Sequence, residues 1–428
     1  MLRTSGSVRG FVALLFVALL TSGCGQETFS ILGSFYDAPD PLPAAAHGDL
    51  IRSESVENSK DVRAWRLLFH SQDFEGRNIQ SSGVLFVPRG QPPEGGWPLI
   101  SLAHGTSGLP RNCAPSPLPF TPLAWSGGAS VWDREASPYV YPESAGLEGY
   151  AVVMADYQGT GTTGPYSYLL GELTGKNVLD AALAAHGLLG DALSSQTFLW
   201  GHSQGGQAAG WAAQQASSYA PELSILGAIL LAPAAELGQL LEAVLAEEYN
   251  VNQSSAAALV LTAVPGFALN YGLDTKTILS AAGEATQEGV KSVCLGTNLA
   301  VFETEAVLRQ YKAADYLRLP GGEVPPRWLE AIEAQNLGQA GASLGAPTFL
   351  INGATDTVVP PEVTCSYFEN TLCPTGDRVE FKIYPDTGHL DLPVTANADI
   401  LRWMQDRLEG QEAPTNCRNL PVGCRTAP

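Results

Sequence analysis

Basic side chains are scarce in this chain: 23 lysines and arginines stand against 43 aspartates and glutamates, for a formal net charge of −20 at pH 7. A surface so balanced repels phosphate backbones and anionic membranes, which excludes nucleic acid as a partner and leaves acidity to keep the protein soluble. Zinc-type cysteine spacing with histidines nearby is missing, so the cysteines do not read as zinc ligands. Long apolar runs are few. Phe11–Leu20 is too short to span a bilayer, and Ala256–Leu269 is interrupted by Pro265-Gly266, so a transmembrane helix is not expected. With 45% hydrophobic and 15% charged residues, the 428-residue chain is neither disordered nor small; it can build one large core and an inserted subdomain.

The N-terminus reads as an export signal over residues 1–23, with Arg3 and Arg9 ahead of the apolar run. Its end, Leu20-Thr21-Ser22-Gly23-Cys24, resembles a bacterial lipobox, although that pattern usually carries leucine where Thr21 stands. Cys24 is therefore a lipidation candidate and a candidate membrane tether, with free secretion as the alternative. Six cysteines remain without it: Cys113, Cys294, Cys365, Cys373, Cys417 and Cys424. An even number suits disulfides outside the cytoplasm. Cys365/Cys373 and Cys417/Cys424 are close enough in sequence to close local loops, which would leave Cys113 to reach Cys294.

Residues 24–60, rich in Pro, Ala and Gly, read as an irregular arm or tether. Ala64–His70 and Ile79–Pro88, separated by a turn containing Gly76, read as an antiparallel hairpin. From Pro98 onward short apolar runs (Leu99–Ala103, Tyr150–Ala155, Thr197–Trp200, Leu226–Leu231, Thr348–Ile351, Val379–Ile383) alternate with helical segments, among them Lys176–Leu193, Gln204–Tyr219 and Asp399–Leu408. That alternation predicts an α/β fold with a mostly parallel sheet. Between Pro233 and Thr348 helical patterns run on with almost no strand signal, at Leu237–Glu248, Ala256–Val264, Val301–Tyr311 and Trp328–Gln335. The interval is too long for a loop and is read as an inserted helical cap. The expected division is a core over 61–233 and 347–408, a cap over 234–346 and a tail over 409–428. The apolar stretch Ala256–Leu269 is either a buried cap helix or a surface facing a greasy substrate.

Two segments match G-x-S-x-G: Gly201-His202-Ser203-Gln204-Gly205 and Gly341-Ala342-Ser343-Leu344-Gly345. In a chain with 45 glycines the pattern alone is weak. A nucleophile elbow needs a strand before it and a helix after it, since a strained turn must hold the serine above the sheet edge. Ser203 has that context; Ser343 instead precedes a strand. Gly201 and Gly205 remove side chains where strand and helix approach. The Ser–acid–His chain order then selects His389, the one histidine C-terminal to Ser203. Asp356, on the loop after Thr348–Ile351, is the candidate acid among Asp274, Asp315, Asp356, Asp377 and Asp386. For an oxyanion hole the donors would be the N–H groups of Gln204 and Thr106, with Gly105 as the alternative to Thr106.

Several segments together resemble the secretory lipase family typified by Candida lipase A: Asn112-Cys113-Ala114-Pro115-Ser116, Gly149-Tyr150-Ala151-Val152-Val153, Asp156-Tyr157-Gln158-Gly159, Gly201–Gly206 (GHSQGG), Asn352-Gly353 and Gly388-His389. The resemblance runs from about residue 60 to residue 408. It implies the α/β-hydrolase fold with a large helical cap, hydrolysis of triacylglycerols or related esters without metal or cofactor, a Ser203–Asp356–His389 triad, and a Cys113–Cys294 bridge between core and cap. Several family members carry an acidic residue in the oxyanion loop where this chain has His104-Gly105-Thr106, which bears on substrate preference. A peptidase or acyltransferase would use the same triad. A non-catalytic lipoprotein would have no use for it.

Overall fold

A computed structural model describes residues 32–56, 62–117, 149–247, 250–295, 308 and 312–425. The leader, Cys24 and the Val301–Tyr311 helix expectation lie outside them or nearly so. Among the described residues nine strands form one sheet. At its edge lies β1 (Leu50–Val56), followed by the hairpin of β2 (Val62–Gln72) and β3 (Asn78–Pro88). The hairpin is longer than its apolar runs because the ladder carries polar flanks out to Gln72 and Asn78. The parallel part comprises β4 (Trp97–Ala103), β5 (Ala151–Ala155), β6 (Leu193–His202), β7 (Ser224–Leu231), β8 (Thr348–Gly353) and β9 (Val379–Tyr384). Across the sheet the order is β1-β2-β3-β5-β4-β6-β7-β8-β9. Buried on both faces, β4, β5 and β7 read as largely unbroken apolar runs, whereas the edge strand β9 alternates, with Lys382 exposed.

The arm is therefore not irregular throughout, since Leu50–Val56 pairs antiparallel with β2. Its residues are half-buried at the ends, exposed at Ser53–Ser55 and mostly polar, so no period-2 apolar signal marks it. The His47 ring secures the approach to it, bonding Asp180 at 2.7 Å and stacking on Tyr219.

Helices α1 (Gly171–Leu189) and α2 (Gln204–Tyr219) cover one face of the sheet with alanine-rich surfaces that pack into one cluster with Leu85, Val153 and Leu199. On the other face the C-terminal helix Leu392–Leu408 buries Ile400, Trp403 and Met404 against Phe198, Ile229 and Phe349. Between β7 and β8 lie α3 (Leu237–Ala246), α4 (Gln253–Tyr271), α5 (Ala281–Val290) and α6 (Pro326–Glu333), around an apolar cluster of their own that includes Leu261, Phe267, Ile278, Tyr316 and Trp328. Helix α4 passes through Pro265 without ending, contrary to the sequence expectation. The missing N–H removes one helical hydrogen bond, and burial of Leu261, Val264 and Phe267 on its flanks holds the helix together. It is long and apolar enough to cross a membrane by length and composition, yet Ala257 and Leu261 are fully buried in the protein.

Cys113 and Cys294 are bridged as expected. The two local loops do not form: Cys365 pairs with Cys424 and Cys373 with Cys417. Cys365 and Cys373 lie along a nearly continuous helical stretch, Pro361–Thr375. At about 1.5 Å rise per residue that separates them by about 12 Å, beyond the roughly 7 Å Cα limit for a bridge. The tail instead folds back on β9, where Asn416 bonds Val379 and Phe381, and so covers the sheet edge.

Candidate active site

Strand β6 delivers Ser203 to the end of the sheet and α2 starts at the next residue. Ser203 sits at φ 61°, ψ −122°, a left-handed conformation costly for a residue with a Cβ. Leu231 O accepts from its N–H, and Ser203 O accepts from Gln207 and Ala234 N–H, so the surroundings hold the strain. A Cβ on Gly201 would lie 1.9 Å from Gly205 O, and one on Gly205 would lie 1.9 Å from Ala103 O. Both positions admit only glycine, as the elbow pattern requires.

Asp356 and His389 meet on the loops after β8 and β9. His389 Nδ1 bonds Asp356 Oδ2 at 2.6 Å, and Asp356 Oδ1 accepts from the Val358 and Val359 N–H groups at 2.8 and 2.9 Å. Asp356 is 2% exposed and its carboxylate is fully partnered, as a buried anion must be. Thr355 N–H donates to Thr387 O and ties the two loops together. The His202 ring lies tilted against His389, centroids 4.4 Å apart, which brings the elbow beside the histidine loop. Burial, then the neighbouring His389, holds His202 well below the usual imidazole range, so it stays neutral. The sequence places His202 in the elbow but not against His389; nothing in its spacing signals that contact.

The loop after β4 runs beside Ser203: a Cβ on Gly105 would stand 4.0 Å from Ser203 Cβ. His104 is buried, stacks on Tyr157 and places Nδ1 2.6 Å from Gly105 O and Nε2 3.3 Å from Asp156 O; burial pushes its pKa down to about 4, so the neutral ring donates to one of the two carbonyls. The Tyr157 hydroxyl donates to His104 O at 2.9 Å, and Thr106 Oγ1 lies 3.0 Å from the Tyr168 hydroxyl. Cys113–Cys294 ties the chain following this loop to the helical insertion, where Leu295 N–H donates to Ser107 O.

Ser343 is far from this arrangement in role. Its hydroxyl donates to Asp377 at 2.5 Å, inside a turn that leads into β8. Asp274 caps a short helical turn through the Lys276 N–H. Among the described residues no group of three or more His, Cys, Asp or Glu could hold a metal.

An apolar cavity of about 140 Å³ opens on Ser203 and Gln204. Ala256, Leu259, Val260, Ala263, Val264 and Phe267, one stripe of α4 at helical spacing, form one wall, and Val358 and Val359 of the acid loop another. The apolar stretch of α4 is thus both core and cavity lining, two functions that the sequence left as alternatives.

A family model described as "Secretory lipase" matches residues 143–416. The chain belongs to the secretory lipase family. It is similar to Lipase 1 of Candida albicans, 25% identical over 435 residues and covering 95% of this chain and 86% of that protein. Among solved structures it resembles Candida antarctica lipase A in its closed state, at TM-score 0.73 and 20% identity over 91% of this chain and 88% of that one. It also resembles the rice cell wall degrading esterase LipA of Xanthomonas oryzae, at TM-score 0.68 and 20% identity over 86% and 100%. This secretory lipase is accordingly a hydrolase of the lipase type on an α/β-hydrolase fold, and the family supports its export.

Proposed function

We propose that this lipase hydrolyses water-insoluble carboxylic esters with medium or long acyl chains, acylglycerols or related esters, outside the cytoplasm. The observation that carries the reading is the apolar cavity opening on Ser203. In the proposed mechanism, Asp356 holds His389 in the tautomer whose free nitrogen accepts the Ser203 proton. Ser203 attacks the ester carbonyl, and the N–H groups of Gln204 and Thr106 receive the developing oxyanion. His389 protonates the departing alcohol, leaving an acyl-enzyme. Water attacks it by the same base and the acid departs. The acyl chain lies along α4, where each methylene moved out of water is worth about 0.8 kcal/mol. Partial burial of a few extra carbons would raise kcat/KM by roughly one to two orders of magnitude.

The test is kcat/KM for p-nitrophenyl esters of graded acyl length together with emulsified triacylglycerol. Rates rising with chain length and release of fatty acid from the emulsion are expected. Rates highest at acetate, with no triacylglycerol turnover, would replace this reading with a short-chain esterase. We also propose that Cys24 becomes the lipidated N-terminus of the mature protein and tethers it to the cell envelope. Mass spectrometry of the mature N-terminus decides this: a diacylglyceryl adduct on Cys24 is expected, and an unmodified terminus would establish free secretion.

A further inference from the structure

The loop beside Ser203 is clamped at both ends by tyrosines. Tyr157 donates to His104 O, and the Tyr168 hydroxyl reaches Thr106 Oγ1. Only the second tyrosine also lines the catalytic cavity: Tyr168 faces the apolar chamber with Ser203 and Gln204, and faces a small polar chamber behind the loop with His104 and Gln158.

The segment that presents Tyr168 is strained and held from three sides. Leu169, the next residue, sits at φ 57°. Gln207, one turn along α2 from Ser203, donates through Nε2 to Leu169 O; Asn270 of α4 donates to Tyr166 O; and Ser167 Oγ donates to Gln158 O. Strain persists where the surroundings over-determine it, and here they fix one side chain against one loop. Tyr168 is 6% exposed and its hydroxyl has one hydroxyl partner, Thr106. The two hydroxyls share one hydrogen bond in which either can donate.

We propose that Tyr168 is a positioning residue for the oxyanion loop, its hydroxyl fixing the Thr106 rotamer and thereby the aim of the Thr106 backbone N–H at the developing oxyanion. The inference rests on the ester-hydrolase reading and on Thr106 as a donor. A hydrogen bond that matters only where charge develops changes kcat rather than KM.

The experiment is a double-mutant cycle on a soluble p-nitrophenyl ester, with Tyr168→Phe, Thr106→Val and the double variant, each with its melting temperature. Tyr168→Phe should lower kcat by about five- to tenfold, the scale of one hydrogen bond, with KM changed by less than about twofold. In the Thr106→Val background the same substitution should cost nothing further. An unchanged kcat, a change in KM alone, or a loss that adds in full to that of Thr106→Val would make Tyr168 a wall of the cavity and overturn the proposal. A wild-type protein inert on every ester would overturn the ester-hydrolase reading and this inference together. With an active wild type, the outcome of the cycle bears on Tyr168 alone.

Discussion

A histidine that shuttles a proton must present one fixed nitrogen, and at the residue scale the carboxylate that fixes it is itself the most constrained group. Asp356 takes one bond from His389 and two from its own loop's N–H groups, so its orientation is set before any substrate arrives. On the proposed mechanism, Ser203→Ala abolishes ester hydrolysis and labelling by a serine-directed phosphonate. His389→Ala and Asp356→Asn each lower kcat by roughly 10³- to 10⁴-fold, and adding either to Ser203→Ala changes little, because triad members act as a unit. Ser343→Ala and Asp274→Asn keep activity, since Ser343 is spent on Asp377 and Asp274 on a helical cap. Phosphonate labelling that survives Ser203→Ala, or a control that fails as badly as Asp356→Asn, would move the site.

Among the elements, the Cys113–Cys294 bridge differs from the two C-terminal ones in what it restrains. It joins the chain just beyond Thr106 to the middle of the insertion, just after α5, across 181 residues, and the β-bridge pairing Gly108 with Cys294 lies beside it. The other two pin the tail to the helical stretch after β8, remote in sequence from the loop that carries Thr106. Replacing Cys113 and Cys294 together by serine should cost about 2–5 kcal/mol of stability. It should also lower kcat well below the melting temperature, by loosening the loop that carries Thr106. The Cys373→Ser/Cys417→Ser variant should lose stability without that kcat effect. Equal kcat in the two variants, measured at a temperature where both are folded, would show that the bridge serves stability alone.

Across the whole molecule, two buried groups oppose one another in acid. His104 has its pKa pushed down to about 4 by burial, so between about pH 6.5 and 4 the unfolded chain binds a proton that the folded chain refuses, and stability falls as pH falls. Asp156, fully buried beneath Ser82 and Ser116, has its pKa pushed up to about 6, again chiefly by burial. Between about pH 6 and 4 its folded form binds the proton first, and stability rises as pH falls. Each contribution is about 3 kcal/mol over the window, with opposite sign, so they nearly cancel. Asp156→Asn should therefore make the melting temperature drop more steeply from pH 6.5 to 4 than in the wild type. His104→Gln should make it drop less steeply. Parallel curves for all three proteins would show that neither group titrates across folding in this range.

Local signals in the sequence determined the α/β alternation, the hairpin, the elbow and the helical insertion, because each depends on apolar periodicity or on glycines at fixed offsets. Chain order then narrowed the candidates to Ser203 and His389, since one histidine follows the elbow. Tertiary structure decided what periodicity cannot express. Strand β1 is mostly polar and partly exposed, and exists because β2 offers it an edge. Cys365 and Cys373 are close in sequence but held apart by helical rise, so they pair with a tail that returns along β9. Pro265 stays within a helix because buried neighbours support the helix on either side. Tyr168 and His202 carry no motif of their own; their positions beside Thr106 and His389 come from a strained segment and a strand end, where backbone geometry set by distant residues decides which side chains meet.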